Sequence, residues 1–254
     1  MKGFKNCDVV GEEIEKYFEY GLQKKYHKMK KLKYLDQYEA FANFFHGYHV
    51  LDTVAKDNDA KIYFIGVRPA IGASDLSGLN QYLDHDLEKE FQHITKYLLK
   101  IKPDFVNISG SESIDVNESF FLKNNMNKAD SQKYAKVIFN KWNTFWKRTI
   151  KSLPKTTFVV SAGNGGSDWV GDKLLKKSQL KTQTTPATLN LQNTLIVSSK
   201  GSDGVSSFSN YGDIVSAAEL GEMHLANVPC QGRRQVRLTG SSQATAIHTS
   251  KLLR

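Results

Sequence analysis

TTFVVSAGNGG, residues 156–166, is an apolar run of β-forming residues halted by Gly163-Asn164-Gly165-Gly166. A strand reading Phe-Val-Val without polar alternation is buried on both faces, the pattern of a parallel sheet covered by helices. Its exit marks a turn, because Asn and Gly both tolerate positive φ. The neighbouring stretches alternate. PDFVNISG (103–110) and LIVSS (195–199) read as further strands, and so does KIYFIGV (61–67), which ends at Arg68-Pro69. In LDHDLEKEFQHITKYLLKI (83–101), Leu87, Phe91, Ile94, Tyr97, Leu98 and Ile101 recur at helical spacing. Residues 131–151 repeat the pattern with Tyr134, Val137, Ile138, Phe145 and Ile150. This alternation predicts an α/β fold: a doubly wound, mostly parallel sheet with helices on both faces. No internal repeat or low-complexity linker interrupts the 254 residues, so a single domain, 1–254, is expected.

Composition narrows the function classes. Apolar residues make up 40 % and aromatic residues 11 %, which fits a globular chain and not a disordered one. No apolar run approaches the roughly 18 residues that cross a bilayer, and MKGFKNCDVVGEE lacks the apolar segment of a signal peptide. Much of the net charge of +9 lies in KKYHKMKKLK (24–33), a lysine run with no arginine or aromatic pattern for base stacking. It reads as a solvated face, and no nucleic acid is expected as a partner. Cys7 and Cys230 show no zinc-type spacing; they pair in an oxidising compartment or stay free thiols.

Functional groups of a parallel sheet collect at the carboxyl ends of its strands. Three stretches carry them. HGYHV (46–50) sets His46 and His49 on one face at helical spacing, without the HExxH pattern or a third ligand that a metal would want. SAGNGG (161–166) offers Asn164, a turn residue or an amide donor toward developing negative charge. GSSQATAIH (240–248) places Ser241 and Ser242 at a turn entering a helix, as N-cap or as nucleophile.

In order, these stretches resemble the boxes of the subtilisin-like serine peptidases. HGYHVLDTVA is similar to that family's HGTHVAGTVA, FVVSAGNGG to its asparagine box, and LTGSSQATA to its GTSMASP serine box. VNISG (106–110), VSSFSNYGD (205–213) and TTPATLNLQNTLIV (184–197) are similar to family segments in between, so the likeness runs through about residues 46–250. It implies an endopeptidase acting through an acyl-enzyme. Ser242 is then the nucleophile, His46 the general base and Asn164 the oxyanion donor, with Ser109 and Gly110 in the strand that pairs with substrate. It implies protein or peptide substrates and no cofactor for the chemistry, and leaves structural calcium open.

The chain departs from the family pattern in three places. Tyr48 replaces a threonine and Asp52 a glycine of the histidine box. The family's aspartate box is not found before His46, where only Asp8 and Asp36 occur. The acid is therefore Asp8, Asp36, or absent from this chain. The short stretch after Ser242 adds the expectation of a truncated chain. If a leader and propeptide precede it, the protein is secreted or periplasmic. The alternative to a peptidase is an inactive relative that binds peptide without efficient turnover.

Overall fold

The computed structural model describes residues 46–66, 79–80, 82–165, 184–228 and 234–254. Asp8, Asp36, Cys7, Cys230 and the lysine run at 24–33 lie outside the described residues.

The centre is a parallel sheet of β1 (Phe105–Ile108), β3 (Thr157–Ser161), β5 (Thr194–Gly201) and β7 (Ala217–Leu220), in that spatial order. Phe105 lies opposite Thr157, Phe158 opposite Thr194, and Val197 opposite Ala217. The short β6 (Gly204–Val205) folds back antiparallel on the end of β5. A second short pair joins β2 (Glu112–Ser113) to β4 (Thr184–Thr185), and β8 (His224–Val228) pairs with β9 (Arg234–Leu238) as an antiparallel ribbon.

Alternation along β3 explains why helices cover both faces. Phe158 and Val160 join Ile108 and Ile196 in the larger core, packed against helices α2 (Leu87–Ile101) and α4 (Lys128–Ser152). Phe91 is the hub there: it stacks on Phe145 at 4.7 Å and meets Trp142 and Trp146 edge-on. On the opposite face Val159 and Val197 meet Ala244 of α5 (Ser241–Leu252). That helix buries Ser241, Ser242, Ala244, Thr245, Ala246, Thr249 and Ser250, small residues that let its backbone approach the sheet closely. Helix α1 (46–55) packs Val50 and Val54 onto Ala246.

Most expected elements are present. Helix α4 starts where Asn127 caps it, accepting from the Asp130 amide at 2.9 Å. Helix α2 ends on left-handed Lys102, whose N–H bonds Leu98 O, just before Pro103. A π-turn, Tyr82–Asp86, precedes α2 within the stretch expected as plain helix. Tyr97, expected on the apolar face of α2, is exposed and edge-packed on Tyr63, because the buried stripe runs through Leu87, Phe91, Ile94 and Leu98. The strand expected at 61–67 is corrected: residues 61–66 have no regular secondary structure. Its β-forming side chains serve packing instead of a ladder, with Ile62 against Val50, Val54 and Ala246, and Ile65 against the larger core. β-propensity measures such packing as much as pairing. Helix α3 (Ile114–Lys123) was not foreseen.

Candidate active site

β1 and β3 both end facing the N-terminus of α5. Past β3 the chain turns through Gly163 at φ 90°, where a β-carbon would come 2.8 Å from Thr184 Cγ2 and 2.9 Å from Asn210 Nδ2. Only glycine takes that conformation in that space at little cost. Asn210 clamps the turn: its Nδ2 donates to Ala162 O at 2.8 Å and to Thr184 Oγ1 at 3.0 Å, and its N–H donates to Gly163 O. The clamp sets Asn164 at the surface beside α5.

Asn164 is oriented by the first serine of the pair. Its Oδ1 accepts from Ser241 N at 2.9 Å and from Ser241 Oγ at 2.7 Å. With that hydroxyl proton committed, the 2.7 Å contact between Ser161 Oγ and Ser241 Oγ has Ser161 as donor. A buried chain of hydroxyls thus fixes the carboxamide oxygen toward the helix and leaves Nδ2 on the side of Gly240, 3.3 Å from where a β-carbon there would sit. The sequence offers Ser241 only as one of two serines at the turn entering a helix and does not single out Ser161 or Asn210. The Ser-Phe-Ser-Asn turn was the available signal for Asn210.

Ser242, largely buried, lies between this turn and the end of β1. Its Oγ donates to Ser109 O at 2.6 Å, and Ser109 Oγ donates back to Ser242 O at 3.0 Å. Gly110 is exposed, with open space around its α-carbon.

His46 opens α1, partly buried. Burial first, and the nearby His49 second, hold its pKa below the ordinary 6.5, so it is neutral at pH 7. Among the described residues no carboxylate figures among the groups that shift it. Among the described residues no hydrogen bond joins His46 to Ser242. His49 is fully buried, with Nε2 3.0 Å from His224 O and its ring edge-on to that of His224. The two departures in the histidine box both have partners. Tyr48 stacks on Phe64 at 6.0 Å. Asp52 accepts from Asn227 N at 2.8 Å and from Asn227 Nδ2, which ties α1 to β8. Asn164, Ser241, Ser242 and Ser109 therefore come together, and His46 stands apart from them in hydrogen bonding. Among the described residues no three His, Cys, Asp or Glu side chains are grouped to hold a metal ion, and no helix is long and apolar enough to cross a membrane.

The subtilase family model matches residues 19–252, nearly the whole chain. The chain belongs to the subtilase family. No curated protein sequence matches this subtilase. Among solved structures it is similar to the prenylagaramide maturation protease PagA (16 % identity, TM-score 0.47, 81 % of this chain and 61 % of that one). It is also similar to a cold-adapted subtilisin-like serine proteinase (19 %, 0.46, 81 % and 58 %) and to the patellamide maturation protease PatG (16 %, 0.46, 88 % and 59 %). The chain thus spans about three fifths of the length of these structures.

Proposed function

We propose that this subtilase is a serine endopeptidase that cleaves peptide bonds in protein or peptide substrates through an acyl-enzyme, without a cofactor for the chemistry. The observation that carries the reading is the meeting of Asn164 and Ser242 at the N-terminus of α5, beside the open end of β1 at Ser109-Gly110. Ser242 Oγ attacks the scissile carbonyl, and His46, neutral at pH 7, takes its proton and returns it to the leaving amine. Asn164 Nδ2 and the Ser242 N–H hold the oxyanion, aided by the positive end of the α5 dipole. Substrate backbone lies along Ser109-Gly110. The acid that orients His46 is Asp8, Asp36 or a group outside this chain, and of the two aspartates Asp8 comes first.

A second reading, an inactive relative that binds peptide, is favoured by one observation: the Ser242 hydroxyl is committed to a backbone carbonyl. A fluorophosphonate probe separates the two. Labelling that is lost in Ser242→Ala and kept in Ser241→Ala supports the peptidase. Equal labelling of Ser242→Ala sinks the assignment of the nucleophile, and an unlabelled wild type favours the inactive relative.

A further inference from the structure

Gln243 follows Ser242 in the first turn of α5 and is 2 % exposed. Its backbone N–H donates to Gly240 O at 3.1 Å, but among the described residues its carboxamide makes no hydrogen bond. Neither of its polar atoms is among the enclosed side-chain atoms that lack a partner, so the carboxamide borders an opening and is not sealed in the core. Gly240 locates it. A β-carbon on that glycine would come 2.9 Å from Gln243 Oε1 and 3.3 Å from Asn164 Nδ2. Two carboxamides thus border one small space beside Ser242, and the absent side chain of Gly240 keeps that space open. At the start of α5 the Ser241 N–H is taken by Asn164 Oδ1 and the Gln243 N–H by Gly240 O, so the Ser242 N–H and the positive end of the helix dipole are what favour negative charge there.

Resting on the peptidase reading, we propose that Gln243 is a second side-chain donor to the oxyanion. A half-turn of the near-symmetric carboxamide exchanges Oε1 for Nε2 without changing its shape. Nε2–H then meets the same oxygen as Asn164 Nδ2, and the carboxamide gains in the tetrahedral intermediate the bond it lacks at rest. A group that bonds only as the charge develops lowers the barrier and leaves substrate binding unchanged.

Phosphonylation by a fluorophosphonate tests this, with peptide ester and amide substrates alongside. In labelling, the Ser242 Oγ–P bond forms, the P–F bond breaks, fluoride leaves and the Oγ proton passes to His46. The phosphoryl oxygen takes the oxyanion's place. Gln243→Met should slow labelling about a hundredfold, lower kcat for ester and amide alike with KM unchanged, and keep the melting temperature. Gln243→Glu should slow labelling further, because its charge faces the oxygen. Wild-type rates in a folded Gln243→Met protein overturn the proposal. A loss confined to amides also overturns it, by assigning Gln243 to the leaving group. If wild type itself is not labelled, the peptidase reading has failed separately. Without labelling there is no oxyanion for Gln243 to meet, and the proposal falls with that reading.

Discussion

Ser242 and Ser109 exchange hydrogen bonds: the Ser242 hydroxyl donates to the Ser109 carbonyl, and the Ser109 hydroxyl donates to the Ser242 carbonyl. The pair staples the first turn of α5 to the end of β1. Ser109→Ala removes the bond to Ser242 O and also the one that Ser109 Oγ accepts from Asn107 Nδ2 at 2.9 Å, and keeps the bond from Ser242 Oγ, whose acceptor is backbone. It should cost about 1–3 kcal/mol in stability, read as a lower urea midpoint, and change fluorophosphonate labelling of Ser242 only a few-fold. A loss of labelling as complete as that in Ser242→Ala would mean that the Ser109 hydroxyl takes part in the chemistry.

Asn164 combines two roles that one substitution can separate. Its oxygen accepts twice from Ser241, and its nitrogen faces the space over Gly240. Asn164→Asp keeps an acceptor for Ser241 and removes the N–H donors. Folding should survive, with the melting temperature within a few degrees of wild type, while kcat falls about 10²–10³-fold, the magnitude for loss of an oxyanion-hole asparagine in subtilisin. Asn164→Ala should lose the same activity and also stability. Full activity in Asn164→Asp would exclude this carboxamide as oxyanion donor.

Asp52 shows how a departure from a family pattern is absorbed. It receives the Asn227 amide and side chain, and so fixes α1, which carries His46, to β8. Bonds to a charged acceptor contribute about 1.5–3 kcal/mol. Asp52→Ala should lower stability by about that amount, whereas Asp52→Asn, which keeps an acceptor oxygen, should recover more than half. Chemical denaturation measures both, and an Asp52→Ala midpoint equal to wild type would reduce this contact to a surface neighbour.

The parallel sheet was legible because its central strands, β3 and β5, are buried on both faces and so carry the apolar runs Phe158–Val160 and Leu195–Val197. The site was legible only as separate boxes. What joins them is a chain of small hydroxyls, Ser161 to Ser241 to Asn164, with Asn210 behind it. Serine and asparagine in loops carry no periodicity, so no pattern in the sequence says which of them meet. The stretch at 61–66 misled for a related reason: Ile62 and Ile65 pack as a strand's residues would, but propensity does not supply a partner strand.

Glu112 gives the fold a pH dependence whose sign can be worked out. It is buried at the start of β2, and burial pushes its carboxyl up from 4.5 to about 7 against the one bond it accepts, from Asn117 Nδ2 at 3.0 Å. The folded state therefore binds more protons than the unfolded one between pH 4.5 and about 7, and stability contributed here falls as pH rises through that window. His46 and His224 act the opposite way. Burial lowers both, so their contribution is complete above the ordinary 6.5 and is lost as pH falls below it. Glu112→Gln removes the first trend and leaves the second. It also offers an N–H to Asn117 Oδ1, a buried acceptor with no partner among the described residues. The variant should match wild type near pH 4.5 apart from that added bond, and exceed it at pH 8 by up to roughly 3 kcal/mol, the free energy of a carboxyl moved that far. Urea midpoints at pH 4.5, 6 and 8 measure the difference. A gain that stays constant with pH would mean that Glu112 ionises as an ordinary surface acid, and that its burial against Asn117 does not set its charge.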